Sequence, residues 1–316
     1  MGLADVVSSL PCVLALTAAV GAAQFAYLDV ELQLRTLGVL LGSQLLLTGA
    51  FQAFSTTFRE KPLLAAFEFV STGFCAYVSW HGVQLAAANM LPHDFEANSA
   101  ASRILEEHDE ARYYNTLLGG YGLWELGLLL ALPDMRSWDN VLHHFFVCVV
   151  VVLTMYPGPF GQFYSPYYAG VQVCPRLPPP PHPPLLRRLV CRAADWLLAW
   201  QELSSVPLGA VDLFKQFKPL QTDYPSAYFA ARFTFALAFV AVRMVVWVLV
   251  SQHFWRDLYA IYDPAGSPLE QFQFWVCLSS NLFLTGLQML WGRLVIRNSL
   301  RVLGVLEKPK KEGRRD

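Results

Sequence analysis

The chain has 316 residues, of which 55% are hydrophobic and only 15% charged, with a formal net charge of -1 and a mean hydropathy of +0.37. That balance is too apolar for an ordinary soluble enzyme and points to an integral membrane protein. A charge near zero, with no interior basic stripe carrying interleaved aromatics, excludes nucleic acid as a partner.

A helix needs about 20 mainly apolar residues to cross the hydrocarbon core. Runs of that kind are predicted at residues 9–28, 36–56, 63–91, 113–133, 139–157, 193–214, 226–252 and 271–297. The fold class expected is therefore all-α, a polytopic membrane protein with seven or eight transmembrane helices. Asp5 is the only charge ahead of the first run, so the basic region of a cleaved signal peptide is missing and the run is predicted to stay as an anchor.

Basic residues collect late in the chain, at Arg293, Arg297, Arg301, Lys308, Lys310, Lys311, Arg314 and Arg315, which predicts a cytosolic C-terminal tail over residues 301–316. Counting back through eight crossings puts Arg59 and Lys61 on the cytosolic side and the acidic loop from Asp94 to Glu110 on the other. The loop 158–192, with Arg176, Arg187, Arg188 and Arg192, is misplaced by that count, and this leaves seven crossings open. Within it, Pro-Arg-Leu-Pro-Pro-Pro-Pro-His-Pro-Pro cannot be helical, since proline removes the backbone donor; residues 171–192 read as an insertion or linker. The six cysteines form no Cys-x-x-Cys pair and are expected to be buried and reduced. Neither a glycosylation sequon nor a myristoylation signal is present.

Ionisable groups inside a membrane cost about 2.5 to 3.5 kcal/mol each on insertion scales, so each needs a partner or a watery cavity. The third run carries Glu68, Ser71, Thr72, Cys75 and Ser79 on one helical face, with Glu68 near enough to Lys61 to reach the interface. Tyr121 and Glu125 stand one turn apart in the fourth. Arg232 and Arg243, eleven residues apart, are expected on one face of the seventh, and Arg243 with a carboxylate would make a buried pair. Asn281, Thr285 and Gln288 share a face of the eighth, where interhelical hydrogen bonding is the simplest role.

His143 and His144 open the fifth run, Val-Leu-His-His-Phe-Phe-Val-Cys-Val-Val-Val-Val-Leu. Neighbouring helix positions are rotated by about 100°, so the two cannot chelate one metal easily, and no metal site is expected. One imidazole facing a cavity while the other bonds a neighbour suits a general base or nucleophile; packing alone is the competing reading.

Taken in order, four motifs resemble the TLC domain family, named for its translocating-chain-associating, ceramide-synthase and neuronal-lipofuscinosis members. Gly120-Tyr121-Gly122-Leu123-Trp124-Glu125 resembles the family's Gly-Tyr-x-x-x-Asp helix, and His143-His144 its histidine pair. Glu202-Leu203-Ser204-Ser205-Val206-Pro207 resembles its Glu-x-Ser-x-Pro helix, and Phe239-Val240-Ala241-Val242-Arg243 its late Val-Arg helix. The resemblance implies a six-helix TLC domain over residues 58–300, made of runs three to eight, behind an N-terminal two-helix region at 1–57. It further implies an endoplasmic reticulum or other endomembrane location and a cavity open to membrane lipids and long-chain acyl groups. His143, His144 and Glu202 would be catalytic; Tyr121, Glu125, Ser204, Arg243, Asn281 and Gln288 would line the cavity. No bound cofactor is implied, and acyl-coenzyme A would be a co-substrate.

In ceramide synthases the histidine pair is followed by His-Asp-x-Ser-Asp, where this chain reads Gln201-Glu202-Leu203-Ser204-Ser205. One acid is kept as Glu and the second is absent, which places the chain nearer the TLC proteins of lipid homeostasis. Two functions follow as expectations: a histidine-dependent acyltransferase acting on lipids, or a non-catalytic lipid-binding or lipid-sensing protein that adjusts membrane composition. A transporter is disfavoured, since no inverted repeat or broken helix shows in the run pattern.

Overall fold

The structure, a computed structural model, describes residues 10–87, 99–107, 109–132, 138–156, 158–164, 201–302 and 305. Every regular element among them is helical. The proline-rich stretch and the tail from 306 onward lie outside the described residues, as do residues 94–98 and 108 of the acidic loop.

Local signals in the sequence set the helix ends. Helix α1 (Leu10–Tyr27) gives way to α2 (Val30–Phe54) where Asp29 takes an extended backbone and its carboxylate accepts from the Leu32 amide at 3.0 Å. Pro62 opens α3 (Pro62–Ala87), a position where the missing N–H has no intrahelical partner to lose. Ser99 caps the short α4 (Ala100–Leu105), and α5 (Asp109–Ala131) and α6 (Trp138–Leu153) carry the Gly-Tyr motif and the histidine pair. After a single 3-10 turn at Gln162–Tyr164, described structure resumes at α7 (Gln201–Gln216), followed by α8 (Lys218–Asp223). Helix α9 (Pro225–Ala238) runs through a π-helical segment, Phe239–Val246, into α10 (Trp247–Ile261), and α11 (Pro268–Val302) closes the set.

Among the described residues, four helical stretches are long and apolar enough to cross a membrane: Val30–Phe54, Pro62–Trp80, Pro225–Ile261 and Pro268–Val302. Four of the eight runs expected from the sequence therefore have such a helix, and the others differ from run to run. Helix α6 has 16 described residues, and its start adjoins residues 133–137, which are not described. Helix α5 is long enough, but Asn115, Glu125 and the glycines at 119, 120, 122 and 127 dilute its apolar stretch. Run six begins among residues that are not described.

Helix α2 packs on α3 and α5, α7 lies between α3 and α9, and α6 bridges α1, α5 and α11. Lipid tails are as apolar as leucine, so polar contacts and close approach must hold such helices together. Buried glutamines supply the first. Gln33 Nε2 donates to Gln24 Oε1 at 2.8 Å and Gln24 Nε2 to the Cys148 carbonyl at 3.3 Å, joining α2, α1 and α6 in one relay. Gln44 reaches the Leu63 carbonyl at 2.9 Å, and Gln273 on α11 holds the Leu153 carbonyl at the end of α6 at 2.6 Å. Glycines supply the second: a Cβ on Gly120 would sit 3.1 Å from Thr36 of α2, and one on Gly122 would sit 2.7 Å from the Cys148 sulfur of α6. The Gly-x-Gly surroundings of Tyr121 are thus what let α2 and α6 close on α5.

One end is fixed by charge. Arg103 of α4 forks onto Asp257 of α10, with Nε to Oδ2 at 2.5 Å and Nη2 to Oδ1 at 2.6 Å, and the Tyr164 hydroxyl donates to the same carboxylate. All three side chains are buried. Its hydrogen bond to Asp257 raises the Arg103 guanidinium further above its ordinary range, and burial pushes the Tyr164 phenol well up. Gly161, at φ 64, turns the chain here so that its amide donates to the Ile104 carbonyl at 2.7 Å.

Candidate functional site

Six elements contribute to one polar chamber of about 180 Å³, room for several waters at about 10 to 15 Å³ each. Helix α3 brings Glu68 and Ser71, α5 brings Tyr121 and Glu125, and α6 brings His143 and His144. Ser205 and Asp212 of α7, Arg243 of the π segment and Trp291 of α11 complete the wall. The one-face spacing of Tyr121 and Glu125, and of Glu68 and Ser71, carries directly into this lining, and the Tyr121 hydroxyl sits 2.8 Å from Ser71 Oγ.

The histidines diverge as adjacent helix positions must. His144 turns to α5, its Nδ1 3.3 Å from Glu125 Oε2, close enough for charge pairing but without a well-aligned hydrogen bond. His143 turns to the other side, its ring edge-on to Trp291 with centroids 5.5 Å apart and edge-on to His144 at 5.0 Å. His143 Nδ1 is buried and has no hydrogen-bond partner among the described residues.

Arg243 does not take the carboxylate partner expected from the sequence. Its Nε donates to Ser204 Oγ at 2.8 Å and its Nη2 to Ser205 Oγ at 2.9 Å, with the guanidinium over the Phe239 ring at 5.6 Å. Glu125 faces His144 instead, because α6 stands between α5 and α11 and presents its imidazole first. Arg232 also departs from expectation. The i to i+5 bonding of the π segment takes more residues per turn than an α-helix, so the phase slips between the two arginines. Arg232 stacks on Tyr228 and opens on a separate cavity with Lys215 and Asn298.

Behind the chamber lies a second, apolar cavity of about 140 Å³ that runs from His143 and Arg243 past Val147, Val150 and Leu284 to Phe160, Gly161 and Phe254. Asn281 and Gln288 line it, and His143 and Arg243 belong to both spaces. Asn281 Oδ1 accepts from Trp255 and Thr285 Oγ1 from Trp247, both at 2.8 Å, so two of the three polar positions on α11 lace it to α10 as expected of interhelical glue. Gln288, 1% exposed, leaves its side-chain carbonyl without a partner among the described residues. Glu202 lies in the first turn of α7, and its side chain falls outside the described set.

Glu68, which the sequence puts within reach of Lys61 and the interface, is 8% exposed and opens on the chamber. The sequence marks Ser205 only as a missing acid and gives Asp257 and Arg103 no motif. Two signals bear on them: Ser205 directly follows Ser204, and Asp257 is an acid near the end of an apolar helix.

Cys75, Cys148 and Cys277 are buried free thiols, and among the described residues no three His, Cys, Asp or Glu side chains gather as a metal site. No family model, curated protein or solved structure matches the chain. The site is therefore read from its own geometry.

Proposed function

We propose that this is a TLC-type membrane protein of lipid homeostasis, with the chamber as the place where a lipid is acylated. The observation that carries this reading is the shared wall: His143 and Arg243 stand where a polar chamber meets an apolar cavity. An amphipathic substrate can lay its chain in the second and hold its reacting carbonyl beside the imidazoles in the first. His144, steered by Glu125, takes the proton from an amine or hydroxyl of the acceptor lipid as that atom bonds to the acyl carbon. The thioester C–S bond of acyl-coenzyme A then breaks, and the departing thiolate takes up the proton from the imidazolium. Glu202, at the start of α7, belongs to this assignment by its place in the motif. On this reading α3, α5, α6, α7, α9 with α10, and α11 make the six-helix domain, α1 and α2 stand outside it, the C-terminal tail faces the cytosol and the protein resides in an endomembrane.

One observation favours a second reading, a non-catalytic lipid binder or sensor. Ser205, which stands where ceramide synthases carry an acid, accepts a hydrogen bond from Arg243 and so serves to hold a cation. Cells lacking the protein separate the two readings. Re-expression of the wild-type chain restores their lipid profile, and a His143→Ala, His144→Ala chain at equal abundance does not; rescue by the double variant would establish the binder instead.

A further inference from the structure

The charges of the chamber do not all cancel. Glu125 faces His144, and Asp212 is held by Lys215 at 2.7 Å. Glu68 lies more than nine-tenths buried on the α3 wall and has no ion-pair partner among the described residues. Arg243, from the π segment, is anchored by two serine hydroxyls and meets no carboxylate among the described residues. Those two bonds occupy two of its five N–H donors, which leaves three for another acceptor. Ser205, having accepted from Arg243, keeps its own O–H to donate. The chamber thus offers a carboxylate on one wall and a guanidinium with donors to spare on another, and apolar space begins directly behind the guanidinium.

We propose that the chamber is a seat for a zwitterionic lipid head group that carries a primary ammonium and a phosphate, as a phosphoethanolamine lipid does. The ammonium donates to Glu68 and restores the missing ion pair. The phosphate accepts from Arg243, whose planar fork suits an oxyanion, and one acyl chain enters the apolar cavity toward Gly161 and Phe254. A primary ammonium is chosen over a quaternary one because only the primary head carries N–H donors for the Glu68 oxygens. This proposal rests on the reading of the protein as one that handles lipids, and it does not need the histidines to be catalytic.

The test is native mass spectrometry of the full chain in detergent with dioleoyl phosphatidylethanolamine, dioleoyl phosphatidylglycerol, which lacks the ammonium, and dioleoylglycerol, which lacks both charges. The wild-type chain should bind the ethanolamine lipid at least about tenfold more tightly than the glycerol phospholipid. Glu68→Gln should erase that preference while both phospholipids still bind, and Arg243→Gln should weaken both to the level of dioleoylglycerol. The Glu68→Gln comparison is a ratio within one variant, so it stands even if Arg243→Gln does not fold. Equal binding of the two phospholipids by the wild-type chain, or an intact preference in Glu68→Gln, overturns the proposal. Free O-phosphoethanolamine bound as tightly as the lipid would overturn the lipid as its source. His144→Ala should keep the preference, so a failure of catalysis and a failure of head-group recognition are told apart.

Discussion

At the scale of single residues, the site depends on which neighbour each polar side chain meets. Glu125 faces His144 Nδ1, and in the proposed reaction this leaves Nε2 to act on a substrate, the division of labour by which a carboxylate steers an imidazole base. Glu125→Gln should therefore lower kcat on the order of a hundredfold with little change in KM, measured on purified protein. An unchanged kcat would remove Glu125 from the mechanism. Close approach is the other residue-scale device. A methyl group on Gly122 would meet the Cys148 sulfur, so Gly122→Ala should cost about 1 to 3 kcal/mol, read as an earlier thermal midpoint, and pairing it with Cys148→Ala should recover part of the loss. Much at this scale was legible in the sequence. Tyr121 with Glu125 and the histidine pair sit where helical spacing puts them, because 100° per residue is a local rule. The partners of Arg243 and the burial of Glu68 were not legible, since each depends on a helix distant in sequence.

At the scale of elements, the π segment and the buried ion pair matter most. A π turn at Phe239–Val246 breaks the helical phase between Arg232 and Arg243 and aims the second into the chamber, and nothing in a run of apolar residues announces it. This is why the expected shared face failed while the faces of α3, α5 and α11 held. Arg103 and Asp257 lie 154 positions apart, and their pairing closes the end of the fold near the apolar cavity. Both are buried, so Asp257→Asn leaves a guanidinium without its charge partner and should destabilise by about 3 to 5 kcal/mol in thermal or denaturant unfolding in detergent. A loss below about 1 kcal/mol would mean that water reaches the pair. Local signals stand at the starts of four helices, Asp29, Pro62, Pro225 and Pro268, although the apolar runs begin at 36, 63, 226 and 271.

At the scale of the whole molecule, the apolar runs point to an all-helical protein with membrane-crossing helices, and the described residues carry four helices long and apolar enough to cross. Two spaces of opposite character meet at His143 and Arg243, and the proposed chemistry rests on that junction, with the histidine pair moving an acyl group. The direct test supplies radiolabelled palmitoyl-coenzyme A and an endomembrane lipid extract to the purified full-length protein and follows label into lipid. Incorporation should fall by about a hundredfold or more in the His143→Ala, His144→Ala variant, with the variant still folded. Incorporation equal in the two proteins, or none from the wild-type chain, would contradict it.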